Sequence, residues 1–487
     1  MTKSFKTKEH YSDKLEEGYS LLPCRFIPLD QKRYVLTNLV GEYLVVDRDS
    51  LLQFLRHQLA SEASLYNELK SKHFLVDSDS RVGIDLLALK YRTRSLNLAN
   101  FTALHMFVVT LRCEHSCPYC QVSRQSEDRQ AFDMSMETAD RALDFVFQSP
   151  SPDLKIEFQG GESLLNFELI KHIVERAESI NSMEMRNLDF VIATNLAVLE
   201  DEHLEYAQKH NIYFSVSLDG PKELHNANRP RPGGDSYERT VSGIEKVRRA
   251  LGPDKVSALM TTTESSLGQV QAIVDEYVEQ GFPGIFLRPL SPYGFAVKTK
   301  WFDRYDVSEW LDFYFAGLDY IIELNKCGIQ FAEYYAGIVL EKMFSHRGTG
   351  YVDLQSPAGI GISAIVYNYD GDVYASDEAR MLAEMNDKSF RLGSLYDDSY
   401  QDIISSEVLL SALEDTLTES VPGCTDCGFQ VYCGSDPLYH HATQQDKVGH
   451  KALSGFCKKN MAIFRRLITI MEDDPSAREI LLSWVRR

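Results

Sequence analysis

The chain has 487 residues, 71 acidic against 51 basic side chains, a net charge of −20 and 44% apolar residues. That length exceeds one ordinary core and predicts two or three domains, and the apolar share is that of a folded rather than a disordered protein. The acidic balance speaks against a broad nucleic-acid footprint, which needs a basic face, so no nucleic-acid partner is expected.

Residues 1–20 carry no apolar core and no cleavage pattern, and read as a flexible tail rather than a secretory signal. No apolar run approaches the roughly 20 residues of a membrane span, so no membrane partner and a cytoplasmic location are expected. Residues 21–100 form a separate α+β module. "RFIPL", "RYVLTN" and "GEYLVV" read as strands. "RDSLLQFLRHQLA", with Asp49 or Ser50 as N-cap, "SEASLYNELKSK" and "GIDLLALKYRTRS" read as helices.

From residue 101 to 300 strands and helices alternate. Six strands are predicted at 105–111, 155–160, 188–195, 212–220, 256–263 and 284–290. In "NFELIKHIVERAESI", Phe167, Ile170, Ile173, Val174, Ala177 and Ile180 share one helical face. Nearly continuous apolar strands between helices predict a parallel sheet, either an open doubly wound one or a partial barrel. Residues 301–350 read as a helical connection, 351–460 as a further domain containing the hairpin "AIVYNYDGDVYAS" with Asp370-Gly371 at its turn, and 461–487 as a C-terminal helix.

Nine cysteines without a secretory signal favour metal ligands, catalytic thiols or buried thiols over a disulfide framework. In "RCEHSCPYC", Cys113, Cys117 and Cys120 follow the first predicted core strand directly. Parallel α/β folds place their chemistry at that end of a strand. A structural zinc site would need a fourth ligand, for which His115 is a candidate. Three thiolates on a four-iron cluster would instead leave one iron open. After the second strand comes "QGGES", where Gly160 and Gly161 permit close backbone approach and Glu162 adds a carboxylate. Thr194-Asn195, Ser217, Asp219-Gly220 and Arg288-Pro289 put polar groups at the ends of other strands.

The CxxxCxΦC spacing of Cys113, Cys117 and Cys120, with "GGE" one strand later, resembles the radical S-adenosylmethionine (SAM) enzymes. The resemblance implies a partial (β/α)6 barrel in which these three thiolates hold a 4Fe–4S cluster and SAM takes the fourth iron. It implies a 5′-deoxyadenosyl radical that abstracts hydrogen from substrate. It places Gly160, Gly161 and Glu162 along the SAM amino group and Asn195, Ser217 and Arg229 near its ribose or carboxylate. Tyr119, Met260 and Leu287 would border the adenine.

"GCTDCGFQVYC" with the later Cys457 gives CxxCx5C…C through Cys424, Cys427 and Cys433. Taken alone it fits structural zinc. Beside the core it resembles a SPASM domain and implies one auxiliary 4Fe–4S cluster, with a second site emptied because Ser376 and Pro437 stand at usual cysteine positions. Asp377 aligns with a catalytic base of sulfatase-maturating relatives, the alternative being an ordinary surface aspartate. Cys24 and Cys327 read as buried thiols, and His440, His441 and His450 as solvated.

Longer stretches, including "LPCRFIPLDQKRYVLTNLVGEYLVV", "EFQGGESLLNFELI" and "SLDGPKELHNANRP", resemble the B-type radical SAM maturase of the His-Xaa-Ser system. That resemblance implies a ribosomally made peptide substrate with His-Xaa-Ser repeats and a second radical SAM partner of C type. An electron donor such as flavodoxin or ferredoxin is expected. The N-terminal module is then a peptide-recognition unit or a structural cap. The alternatives are a non-catalytic iron–sulfur electron-transfer or scaffold protein, and a radical SAM enzyme with another class of substrate.

Overall fold

The computed structural model describes residues 18–78, 82–94, 96–345 and 350–485; most of the expected 1–20 tail lies outside them. The chain divides into two units. One comprises Met1–Leu96, Lys342–Gly348 and Gly423–Tyr432, and the other Asn97–Glu341, Thr349–Pro422 and Cys433–Arg487. No described helix is long and apolar enough to cross a membrane.

In the first unit the three expected strands, Cys24–Pro28, Arg33–Asn38 and Tyr43–Asp47, pair antiparallel in that order. Their apolar residues Leu36, Leu44 and Val46 pack with Leu51 and Phe54 of helix Arg48–Leu55 and with Tyr66 and Leu69 of helix Ser64–Ser71. The first helix is capped by Asp47, two residues before Asp49 and three before Ser50, the expected caps. Its carboxylate accepts from the N–H groups of both Asp49 and Ser50, which therefore lie inside the helix. Tyr19–Leu21, whose first two residues were expected in the tail, pairs with Leu75–Asp77 and buries Tyr19 in this core. The Cys424–Cys427 turn belongs here as well. Thr37 Oγ1 donates to the Gly428 carbonyl at 2.6 Å, and Gly428 sits so close to Ile27 that a Cβ would lie 2.7 Å from its Cγ2. Nothing in the local pattern announces that contact, because its partners are separated by 391 residues.

The second unit is built on one eight-stranded sheet. Its order is Val256–Leu259, Tyr213–Ser217, Asn187–Thr194, Asp153–Gly160, Leu104–Thr110, Ala364–Tyr367, Asp372–Tyr374, Arg391–Ser394. The first six strands run parallel, Asp372–Tyr374 runs antiparallel to them, and Arg391–Ser394 is antiparallel to Asp372–Tyr374 in turn. Helices such as Phe167–Glu184 cover the sheet, burying Phe167, Ile170, Ile173, Val174 and Ala177 as the periodicity requires. Leu104–Thr110 lies between Asp153–Gly160 and the late hairpin strand Ala364–Tyr367, so the strand order reverses beside it. Loops at such a point diverge and leave a crevice.

Two expectations change. The hairpin is not part of a separate domain but extends the core sheet through parallel pairing of Ile365 with His105 and Val366 with Met106. The sixth strand shrinks to Gly284–Ile285, which pairs with Ala332–Glu333 outside the main sheet. Beyond it the Leu287 N–H is taken by the buried Glu333 carboxylate, at 3.2 Å, in place of a strand neighbour. The C-terminal region is two helices, Gly455–Asp473 and Pro475–Ser483; Pro475 cannot continue the first, and Asp474 caps the second by accepting from the Ala477 N–H. Cys327 is exposed, because it ends helix Val307–Lys326 instead of facing the core.

Candidate functional site

The three-cysteine loop leaves Leu104–Thr110 at its C-terminal end and is gripped from two sides. Gly161 N–H donates to the Thr110 carbonyl and Glu162 N–H to the Arg112 carbonyl, both at 2.8 Å. A Cβ on Gly160 (φ +139°) would lie 1.8 Å from Thr110 O, and one on Gly161 2.1 Å from Arg112 O. The double glycine thus locks backbone to backbone, and the approach it permits is to the cysteine loop's own root. On the other side Gly294 (φ +61°) is pressed against Gln121 O, where a Cβ would stand 2.3 Å away, and Phe295 N–H donates to the Cys120 carbonyl. Arg112 holds Asp133 at 2.7 Å and donates to the Leu165 carbonyl.

Gly161→Ala is therefore expected to displace the loop, destabilise the protein by about 1–3 kcal/mol as overpacking does, and lower the iron retained per chain after reconstitution. Urea titration and an iron assay check it; unchanged values in both would show that the grip is slack.

The three thiols are free and half-buried. Burial, with Glu114, Glu162 and Cys117 adding to it, pushes Cys113 well above the ordinary thiol range. Burial pushes Cys117 up to about 12 against the opposing pull of Arg229. Such thiols stay protonated without a metal, and binding one must displace the protons. Cys113, Glu114 and His115 bring ligand atoms within 4.8 Å of one another. His115, however, is spent on hydrogen bonds: Nδ1 meets Glu114 at 2.8 Å and Asn195 Nδ2 at 3.0 Å, and Nε2 meets Ser236 Oγ at 2.7 Å. The zinc reading through His115 would forfeit all of these. A donor set of three cysteines fits an iron–sulfur cluster better than a closed tetrahedral metal.

Around the loop the strand ends are tied together by buried polar groups. Glu162, fully buried, accepts from Thr194 Oγ1 (2.6 Å), Asn195 N–H (2.8 Å) and Leu164 N–H (3.1 Å). Burial, then Glu114, pushes its carboxyl up to about 8. Asp219, also fully buried, takes the Tyr119 hydroxyl at 2.5 Å and the Arg229 guanidinium at 3.0 and 3.1 Å, while Arg229 lies 5.6 Å over the Tyr119 ring. Thus Glu162, Asn195, Tyr119 and Arg229 are brought together with the cysteines. Their polar atoms brace the site, which the sequence patterns left unspecified.

Ser217 ends its strand and pairs with Leu259. Met260 is buried. Leu287 is fully buried but does not line the cavity: it packs on helix Val307–Lys326, with Cδ1 2.6 Å from a Cβ built on Gly317. Its neighbours Phe286 and Arg288 face inward instead, as alternation along an extended segment requires.

His225, Ser236, Asn228 and Thr262 escaped sequence reasoning, and Asp219 was read only as a polar group at a strand end, without a role in the site. The signal for Asp219 was its place after the fourth strand, in "SLDG". Thr262 Oγ1 and Asn228 Nδ2 are buried without a hydrogen-bond partner, as polar atoms awaiting a ligand would be.

Inside the same unit a cavity of about 840 Å3 opens beside these strand ends, lined by Gln159, Leu259 and Arg288 among others. Asp377 lines it, held by Arg380 at 3.0 Å, so it is not an ordinary surface aspartate. Ser376 caps helix Asp377–Ala383, and Pro437 opens helix Pro437–Gln444; both positions serve helix starts where a thiol was absent. His440 is buried against Ser454, with burial lowering its pKa to about 4, and His441 pairs with Asp387, so only His450 is solvated as expected.

A profile of the Radical SAM superfamily matches residues 107–276. The chain is 30% identical over 197 residues to an uncharacterized protein of Methanothermobacter thermautotrophicus, covering 39% of this chain and 69% of that protein. It spans 61% of the length of MJ0907 of Methanocaldococcus jannaschii, 28% identical over 185 residues that make up 38% of this chain. It is 22% identical over 308 residues to the cysteine-type anaerobic sulfatase-maturating enzyme of Clostridium perfringens, covering 60% of this chain and 77% of that one. Among solved structures, native anSMEcpe with bound AdoMet superposes with a TM-score of 0.62 at 16% identity over 78% of this chain and 99% of that one. Streptococcus suis SuiB bound to precursor peptide SuiA gives 0.52 at 13% over 88% and 98%.

Proposed function

The chain belongs to the radical SAM superfamily, and from that premise we propose that it is a maturase acting on a ribosomally made peptide by hydrogen abstraction. Membership implies a 4Fe–4S cluster and SAM. The observation that carries the reading is the gripped loop of three free thiols whose neighbouring histidine is already spent. Cys113, Cys117 and Cys120 would hold the cluster and leave one iron for SAM. When bound, the cluster would supply the electron that breaks the S–C5′ bond of SAM with release of methionine, and so the means to take a hydrogen atom from substrate.

The chain's own residues position and exclude. The glycine clamps fix the loop, Asp219 and Arg229 hold Tyr119 against it, and the adjoining cavity takes the substrate out of water. Asp377, on the cavity wall, is proposed as a general base beside the substrate.

Peptide as the substrate class is supported by SuiB, whose structure holds a precursor peptide, and by the relationship to a sulfatase-maturating enzyme. His-Xaa-Ser repeats in the peptide, a C-type radical SAM partner and a flavodoxin- or ferredoxin-like donor complete the proposal. The N-terminal sheet ends at Tyr43–Asp47, an edge to which a leader peptide can add a strand. Cys424, Cys427, Cys433 and Cys457 are proposed for one auxiliary cluster on their spacing.

The test is anaerobic reconstitution with iron and sulfide, then SAM and dithionite, with 5′-deoxyadenosine quantified. Release of the nucleoside is expected, with roughly eight irons per chain for two four-iron clusters. No SAM cleavage, even with a peptide of His-Xaa-Ser repeats present, would sink the enzyme reading. Iron unchanged in Cys424→Ala/Cys427→Ala would sink the auxiliary cluster alone.

A further inference from the structure

The 840 Å3 cavity carries an electrostatic imbalance that its own walls leave uncorrected. Eight acidic and three basic side chains line it. Among them are Glu157, Asp353, Glu378 and Asp436, which share the wall with Arg288 and Lys459 and feel one or both of these charges. Among the described residues none of these four carboxylates forms an ion pair within 4.0 Å. Glu157 accepts only from the Gln159 amide, at 2.6 Å, and Asp436 from the Tyr439 N–H at 2.9 Å. The carboxyls of all four are pushed upward, by burial first. Asp353 and Glu378 then act on Asp436, Asp353 and Asp377 on Glu378, and Asp377 on Glu157. Water-poor walls with excess negative charge favour a positive guest, since a cation relieves both the desolvation and the mutual repulsion.

A second, independent feature points to a guest. Tyr293 and Trp310 line the cavity, are 1% exposed, and leave Tyr293 Oη and Trp310 Nε1 with no hydrogen-bond partner. Buried donors of this kind are normally satisfied. A peptide carbonyl would accept from them, and the aromatic faces suit a neighbouring cation. A metal ion is the poorer guest: among the described residues no three of these carboxylates bring oxygens within 4.8 Å of one another.

We propose that this cavity selects a peptide side chain carrying a positive charge, placing it against Glu157, Asp353, Glu378 and Asp436. Gln159 and Leu259 immediately precede Gly160 and Met260, so the bound residue would stand beside the strand ends that carry the proposed cofactor site. This rests on the maturase reading for its use of the peptide, but the recognition itself needs no chemistry.

The experiment is therefore binding to the reconstituted full chain with SAM and no reductant. The probes are Ac-Gly-Xaa-Gly-NH2 with Xaa lysine, arginine, histidine, norleucine or glutamate, followed by calorimetry and tryptophan fluorescence. At least one cationic peptide is expected to bind about tenfold or more tighter than the norleucine peptide, equivalent to about 1.4 kcal/mol, and the strongest arm identifies the side chain. That preference should vanish in Glu378→Gln/Asp436→Asn. Equal or stronger binding of the norleucine or glutamate peptide, no binding of any cationic peptide, or a preference unchanged in the double variant each overturns the proposal. The wild-type comparison decides even if the variant misfolds. A failure of the maturase reading shows separately, as absent 5′-deoxyadenosine in the reductive assay.

Discussion

Cys117→Ala is expected to reduce 5′-deoxyadenosine release to the uncatalysed background, a loss greater than the 10–100-fold typical of removing an outer partner of a metal. The reason is ligand number. Three thiolates are the fewest that hold a four-iron cluster with one open iron, and His115 is not free to replace the missing one, because both its ring nitrogens are engaged. The fold should survive. Cys117 is half-buried, and alanine removes one sulfur from a loop whose backbone is fixed by the Gly160–Gly161 contacts and by Ser116 N–H donating to the Pro230 carbonyl. Native circular dichroism with lost iron and lost SAM cleavage is the expected pair of results. Cys327→Ala, at an exposed helix end, should change neither. Retained cleavage in Cys117→Ala would mean that other residues hold the cluster.

Arg229→Ala should be the most damaging substitution for stability around the site, by about 3–5 kcal/mol. Asp219 is fully out of water, and Arg229 contacts both its oxygens. Burial alone would raise the Asp219 carboxyl, but the guanidinium outweighs it and holds the group below the ordinary aspartate range. Deleting Arg229 leaves a buried charge without its counterion and frees the Tyr119 ring beneath it. The sign with pH follows. In the wild type, a depressed carboxyl contributes stability above its unfolded value, and acid removes it. In the variant the same carboxyl rises, so its penalty is greatest at neutral pH and shrinks as protons bind. The gap between the two proteins in urea titrations should therefore narrow from pH 7 toward the aspartate reference near 3.8. A constant gap would assign the loss to packing. Asp219→Asn added to Arg229→Ala should recover part of the stability, since it removes the stranded charge.

Much of this was readable from local pattern. Three strands of the first unit and the first five expected strands of the core, the helix with Ile170, Ile173 and Val174 on its inner face, and the thiols placed after the first core strand follow from periodicity and spacing. Such features depend on residues a few positions apart, and so a linear reading reaches them. Partnerships across the chain were out of reach. The hairpin strand Ala364–Tyr367 joins Leu104–Thr110 more than 250 residues away, Arg380 donates to the Val122 carbonyl, and the Cys424 turn docks on the N-terminal strands.

The same division runs through the site. The residue types and spacing of Cys113, Cys117 and Cys120 determined what can be bound, because coordination chemistry depends on the donors themselves. Which groups remain available was decided only by tertiary packing. It withdrew His115 and Glu162 into hydrogen bonds, packed Leu287 under helix Val307–Lys326, and gathered carboxylates from distant segments, Glu157 through Asp436, around one cavity. Electrostatic imbalance is a property of positions in space and of excluded water, and neither is written in the order of residues along a chain.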